Sequence, residues 1–203
     1  MKHFFQKGAD SKQLIVAFHG TGGNEYQLLT TVAKLFPAAS LLSYLGSIGT
    51  DKNRRFFPPL ENGKLNREAF DQAVSSFLTE DWATVVTHEY EEIIFLGYSN
   101  GANFILGLLE QQPTIADTVI LLHPSNLIYQ YTQASADTKL ILTTGAQDTL
   151  SIAGDVLKLS YQLETAFTWV KLLLVDGGHQ LSPQELDDVQ ATLAEINDST
   201  PTL

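Results

Sequence analysis

Six short runs of apolar residues recur along the chain, and each is nearly continuous instead of alternating with polar positions. Such runs, rich in Val, Ile and Leu, are typical of strands that are covered on both faces. The six runs are QLIVAF (13–18), ASLLSY (39–44), EIIFLGY (92–98), DTVILLH (117–123), KLILTT (139–144) and VKLLLV (170–175). The pattern therefore predicts strands at these positions in a sheet with both faces buried.

Amphipathic stretches with apolar residues at helical spacing lie between or after these runs. They follow Asn24 and occupy 66–88, 151–165 and 184–196. The last has a clear beginning, because Ser182, Pro183 and Glu185 form a capping box with proline at the first helical position. Alternating strands and helices predict an α/β fold with a doubly wound, mostly parallel sheet flanked by helices. In such folds, ligands bind beyond the carboxyl ends of the strands.

Length and composition narrow the class of protein. A chain of 203 residues fits one core, so we expect a single domain over residues 1–203. The absence of cysteine excludes disulfides, zinc–thiolate sites and a cysteine nucleophile. The 12 basic and 23 acidic residues give a formal charge of −11, which repels phosphate and anionic lipid, so we expect neither nucleic acid nor a membrane as partner. The segment MKHFFQKGADSKQ lacks the apolar region of a signal peptide, and a cytoplasmic location is expected.

The first predicted strand is followed by the glycine-rich segment HGTGGNE (19–25). A dinucleotide loop would need glycine at position 25, where Glu25 stands, and the chain has no G-K-[ST] phosphate loop. No nucleotide cofactor is therefore expected. A loop this rich in glycine can still direct backbone N–H groups at an oxyanion.

The third predicted strand ends in GYSNG, which places Ser99 between Gly97 and Gly101. A nucleophile elbow needs such small neighbours at the tight turn from strand to helix. The helix that begins there would also direct its positive end at negative charge developing near Ser99. The alternative is a glycine-rich turn without a catalytic role.

Asp148 and His179 follow the fifth and sixth predicted strands. Each alone could be an ordinary turn aspartate or loop histidine. Together with Ser99 they appear in the chain order Ser, Asp, His, which is the order of the triad in α/β-hydrolases. Asp176 is the rival acid, but it shares a loop with His179, so we prefer Asp148.

The chemistry of acyl transfer requires these residue types. Serine is a weak nucleophile until a histidine accepts its proton, and an aspartate holds that histidine in one tautomer. The oxyanion of the tetrahedral intermediate needs two donors. We expect these to be the backbone N–H of Asn100, which follows the nucleophile, and the N–H of Thr21 in the first loop. No group of His, Asp and Glu shows the spacing of a metal site.

With these motifs, the chain resembles the α/β-hydrolase superfamily and, within it, the phospholipase/carboxylesterase family of small lidless esterases. The segments that carry the resemblance are HGTGGNE, GYSNGAN, GAQD and GGHQLS, and RRFFPPLENG (54–63) is similar to the hydroquinone-resistance branch. The resemblance runs from about Leu14 to Ile196. It implies a serine carboxylesterase without a cofactor or metal, and since dimers are common among such hydrolases, it suggests a homodimer.

Three further residues are candidates for contact with substrate. Phe56 and Phe57 lie in the long irregular segment 46–65 and could wall an acyl pocket, or they could pin that segment to the core. His123 ends the fourth predicted strand and could line the pocket or be a structural histidine.

The chain has no room for a large cap domain, so the predicted substrates are small carboxylic esters. Two alternatives stay open: a binding module of the same fold without turnover, and a hydrolase of thioesters or other acyl compounds.

Overall fold

The computed structural model describes residues 1–9, 12–85 and 87–198. Within them, one sheet of seven strands has the order β1-β3-β2-β4-β5-β6-β7. The strands are β1 (His3–Gln6), β2 (Gln13–Phe18), β3 (Ser40–Tyr44), β4 (Glu92–Tyr98), β5 (Thr118–Leu122), β6 (Ser135–Gly145) and β7 (Phe167–Val175). β1 runs antiparallel to β3, and the other pairs are parallel. The predicted α/β fold with a mostly parallel sheet is confirmed.

The α-helices of the described residues are α1 (Leu29–Leu35), α2 (Arg67–Ser76), α3 (Asn100–Gln111), α4 (Ala153–Leu163) and α5 (Pro183–Asp198). The stretch predicted at 66–88 is only partly α-helical, because a π-helical turn over Phe77–Asp81 follows α2. The capping box of α5 is present: the Glu185 N–H donates to Ser182 Oγ at 3.1 Å, and the Ser182 N–H donates to Glu185 Oε2 at 3.3 Å. None of the described helices is both long and apolar enough to cross a membrane.

The apolar core covers both faces of the sheet, which explains the continuous apolar runs of the sequence. In β2, Val16 and Phe18 belong to one buried cluster, while Ile15 and Ala17 belong to a second. Each cluster includes side chains from the helices that flank the sheet. Both sets of alternating positions in a strand are therefore apolar.

The sheet is less protected at its edges than in its centre. Every residue of β5 is buried, whereas most residues of β7 are only partly buried and Leu174 is 64% exposed. β7 occupies one end of the strand order and pairs only with β6 among the described strands. The loop that carries His179 follows directly from this edge strand.

Candidate active site

Ser99 lies at the sharp junction between β4 and α3. Its backbone adopts φ 52° and ψ −110°, a strained conformation for a residue with a side chain. A Cβ atom added to Gly97 would lie 2.6 Å from the Ala102 nitrogen, and one added to Gly101 would lie 2.1 Å from the Phe18 carbonyl oxygen. Only glycine fits at these two positions. The turn therefore has the geometry of a nucleophile elbow.

The three side chains predicted to form a triad lie in a line of hydrogen bonds. His179 Nε2 is 2.9 Å from Ser99 Oγ, and His179 Nδ1 is 2.8 Å from Asp148 Oδ2. Ser99 is partly exposed and the His179 side chain is 15% exposed, so a substrate can reach both. Asp176, the rival acid, is an exposed residue of the same loop as His179. Asp148 is the carboxylate that faces the histidine.

The Asp148 carboxylate is held by backbone donors as well as by histidine. Its Oδ1 accepts the N–H groups of Leu150 and Ser151, each at 2.8 Å. Burial by itself would raise the pKa of Asp148. The hydrogen bonds from Ser151, His179, His123 and Leu150 outweigh burial and lower the pKa below its ordinary value. Asp148 is therefore a fixed anion at neutral pH.

Two backbone N–H groups, those of Thr21 and Asn100, make no hydrogen bond within the described residues. In the first loop, the N–H of Gly20 donates to Gln27 Oε1 at 2.8 Å, and the N–H of Gly22 donates to the Arg54 carbonyl at 2.8 Å. The Thr21 N–H between them makes no hydrogen bond within the described residues, and neither does the N–H of Asn100 at the beginning of α3. The sequence predicted these two N–H groups as the oxyanion donors, and the structure leaves both without an internal acceptor among the described residues.

His19 braces the first loop from inside the protein. Its Nδ1–H donates to the Gly20 carbonyl at 2.7 Å, and its Nε2 accepts the N–H of Gly46 at 2.9 Å. This arrangement requires the neutral imidazole, and burial lowers the pKa of His19 accordingly. His19 thus fixes the loop that presents Thr21 and takes no part in proton transfer.

Comparison with known proteins places this chain in a family. No protein-family model matches the chain. Over 196 residues, it is 30% identical to a Bacillus subtilis (strain 168) protein named "Putative hydrolase MhqD", a match that covers 94% of this chain and 96% of that protein. It is 28% identical to the Bacillus cereus carboxylesterase, whose crystal structure superposes with a TM-score of 0.87 over 96% of this chain and 94% of the other. The chain belongs to the α/β-hydrolase carboxylesterase family. 

The same fold extends to more distant proteins. Zea mays acyl-protein thioesterase 2 superposes with a TM-score of 0.75 over 96% of this chain and 98% of its own, at 17% identity. At that identity the similarity concerns the fold alone. Membership of the carboxylesterase family makes the chain a hydrolase with esterases among its relatives.

His123 is buried in this carboxylesterase fold and does not line an open pocket, which agrees with the second of the two roles considered for it, that of a structural histidine. The side chain is completely buried next to Asp148. Its Nδ1 is 2.8 Å from Asp148 Oδ2, and its Nε2 is 3.2 Å from Glu185 Oε2. Burial would lower the pKa of His123, but the hydrogen bonds and charges of Glu185 and Asp148 outweigh it and raise the pKa above 6.5. From the sequence, Glu185 was identified only as part of the capping box of α5. The position of His123 at the end of a predicted strand was the only sequence feature that pointed to this buried contact.

The stability of the protein should depend on pH through His123. Because its pKa is higher in the folded than in the unfolded chain, His123 contributes stability that is complete below 6.5 and is lost as the pH rises through the folded value. We expect the difference in unfolding free energy between wild type and His123→Gln to shrink as the pH increases from about 6 to about 9. Urea unfolding of both proteins at several pH values measures this difference in unfolding free energy. A difference that does not change with pH would contradict a raised pKa.

Phe56 and Phe57 lie in the core, which is the second of the two roles considered for them. They are 0% and 3% exposed. The ring centroids of Phe56 and Phe104 are 5.2 Å apart, and those of Phe57 and Phe70 are 4.8 Å apart. The Phe56 N–H also donates to Asn100 Oδ1 at 2.9 Å, which ties the segment 46–65 to the elbow. A buried aromatic pair therefore fixes this segment.

The site brings together two histidines and an aspartate, which are residue types that also bind metal ions, but here their side chains are hydrogen-bonded to one another. Ligand atoms of His123, Asp148 and His179 all lie within 4.8 Å of one another. The hydrogen bonds among these side chains occupy both nitrogens of each ring and the shared Oδ2. A metal ion would have to break these bonds in order to bind. The arrangement fits proton transfer better than metal binding.

Proposed function

We propose that the protein is a serine carboxylesterase that hydrolyses small carboxylic esters through an acyl-enzyme on Ser99. The observation that carries the proposal is the hydrogen-bonded line from Ser99 Oγ through His179 to Asp148, beside the two free N–H groups of Asn100 and Thr21. The named carboxylesterase of Bacillus cereus, at 28% identity, supports esters as the substrate class.

In the first half of the proposed reaction, Ser99 Oγ attacks the ester carbonyl carbon and its proton moves to His179 Nε2. The carbonyl oxygen becomes an oxyanion and accepts the N–H groups of Asn100 and Thr21. Asp148 stabilises the imidazolium. The bond to the alcohol then breaks, and the leaving oxygen takes the proton from His179.

In the second half, water attacks the acyl carbon and gives a proton to His179. The bond to Ser99 Oγ breaks, Ser99 recovers its proton, and the carboxylic acid leaves. Because the imidazolium cannot accept a proton, kcat/KM should rise with pH over the range in which His179 becomes neutral. The partial exposure of Ser99 and His179 supports small substrates that bind in an open site.

Labelling with a fluorophosphonate tests the nucleophile directly. Intact-mass measurement should show one stoichiometric adduct, mapped to Ser99, because His179 activates this hydroxyl and no other serine of residues 1–9, 12–85 and 87–198 is hydrogen-bonded to a histidine ring. The Ser99→Ala variant, which should fold normally, is the matched control and should gain no adduct. Folded wild-type protein without an adduct would contradict the proposal and favour a binding module without turnover.

A further inference from the structure

The line of hydrogen bonds does not end at Asp148. His123 Nδ1 shares the same carboxylate oxygen as His179, and His123 Nε2 lies 3.2 Å from each oxygen of Glu185. The side chains of His123 and Glu185 are 0% exposed. A continuous chain of contacts therefore runs from Ser99 through His179, Asp148 and His123 to Glu185, and its last three side chains are completely buried. The triad reaction uses only the first three.

The two contacts of His123 fit a positively charged ring. A neutral imidazole has a single N–H and would direct the lone pair of its other nitrogen at a carboxylate oxygen. Both nitrogens of His123 face carboxylates, so an imidazolium satisfies both contacts. A cation at His123 would also compensate the buried Asp148 carboxylate, and it would lie 3.2 Å from both oxygens of the buried Glu185 side chain. The raised pKa of His123 agrees with this arrangement.

Every acceptor position of Asp148 is then in use. Its Oδ1 accepts two backbone N–H groups, and its Oδ2 accepts both histidines. A carboxylate offers about four lone-pair sites, so this one has no alternative orientation with as many bonds. Without the donor at His123, Oδ2 would keep only its bond to His179 and the carboxylate could turn.

We propose that His123 is a positioning residue of the active site, held as an imidazolium by Glu185, and that its Nδ1–H fixes the Asp148 oxygen that faces His179. This inference rests on the proposed function for its catalytic consequence. The proposed cation also lies close to the base, because the ring centroids of His123 and His179 are 5.3 Å apart. Among the described residues, Tyr98 is a further titratable group that faces His123, with ring centroids 6.1 Å apart.

Nitrogen-15 NMR of histidine-labelled wild-type protein tests the charge state without using activity. At pH 7, both ring nitrogens of His123 should give the shifts of protonated imidazolium, with the signals assigned through bonds. In the Glu185→Gln variant, one nitrogen should lose its proton. A bare ring nitrogen in the wild-type spectrum would overturn the proposal, as would an imidazolium that survives in Glu185→Gln.

The pH profile of kcat/KM tests the positioning role. Glutamine at 185 can still complete the capping box of α5 but cannot hold a cation. The acid limb of the Glu185→Gln profile should move to higher pH by roughly half a unit or more, because His179 loses a neighbouring positive charge. Ser182→Ala is the matched control: it weakens the same cap and should leave the limb in place. An unmoved limb in Glu185→Gln would overturn the role.

The two proposals fail in different ways. If fluorophosphonate does not label Ser99 while NMR shows the imidazolium, the proposed function fails and the charge assignment holds. If Ser99 is labelled and the His123 ring is neutral, the esterase stands and the inference about His123 and Glu185 is wrong.

Discussion

Asp148→Asn should lower kcat/KM for a small ester such as p-nitrophenyl acetate by about 10⁴-fold. The remaining carbonyl oxygen of the side chain can still accept the N–H groups of Leu150 and Ser151, which keeps the backbone geometry. The new amide nitrogen then faces His179 Nδ1 and donates to it. His179 is forced into the tautomer with the proton on Nε2, where it cannot accept the proton of Ser99.

Asp176→Asn is the matched control for this substitution. It makes the same chemical change three residues before His179, but on an exposed side chain. We expect its kcat/KM to equal that of the wild type within experimental error. A large loss in Asp176→Asn together with an active Asp148→Asn would show that Asp176 is the acid in solution.

Phe56→Ala should lower the free energy of unfolding by about 3–5 kcal/mol. The ring is completely buried and lies 5.3 Å from the Phe18 ring and 4.7 Å from the His19 ring. Truncation removes this contact area and leaves a cavity in a region where several aromatic rings meet, so neighbouring side chains can fill it only in part. Urea unfolding followed by circular dichroism measures the change.

Phe5→Ala makes the same truncation at a side chain that is 50% exposed, and it should cost less than about 1 kcal/mol. The comparison also separates the two roles considered for Phe56. If this ring walled an acyl pocket, Phe56→Ala would raise KM for bulky esters while leaving the unfolding free energy close to that of the Phe5→Ala control. That pattern would contradict the buried position.

The proximity of Ser99, Asp148 and His179 could be predicted from the sequence alone. Each follows a strand of a parallel sheet, and the carboxyl ends of such strands meet at one edge. The free N–H of Thr21 could also be anticipated, because a glycine-rich loop follows the first predicted strand. These inferences needed only the order of elements along the chain and no side-chain contact.

The pair of His123 and Glu185 could not be predicted in the same way. The two residues are 62 positions apart, and they meet only because α5 packs beside the end of β5. Glu185 had a sufficient local explanation as part of a capping box. Its second partner depends on tertiary packing, which a local pattern does not contain.

Irregular and short segments were the other part of the structure that the sequence could not predict. Phe56 lies in a stretch without hydrophobic periodicity, so the sequence could not decide between a place in the core and a place in the wall of a pocket. β1 has only four residues, too few to show an alternating pattern, and it adds an antiparallel edge to the sheet. Neither feature alters the position of the candidate site.

The edge position of β7 has a consequence for motion. A strand bonded on one side opens more readily than a central strand, and its amide hydrogens exchange with solvent sooner. His179 lies in the loop that follows this edge strand, whereas Ser99 follows the central strand β4. On mild warming, we therefore expect His179 to leave its place while Ser99 remains fixed. If the two act as proposed, activity should be lost through this local opening before the fold is lost.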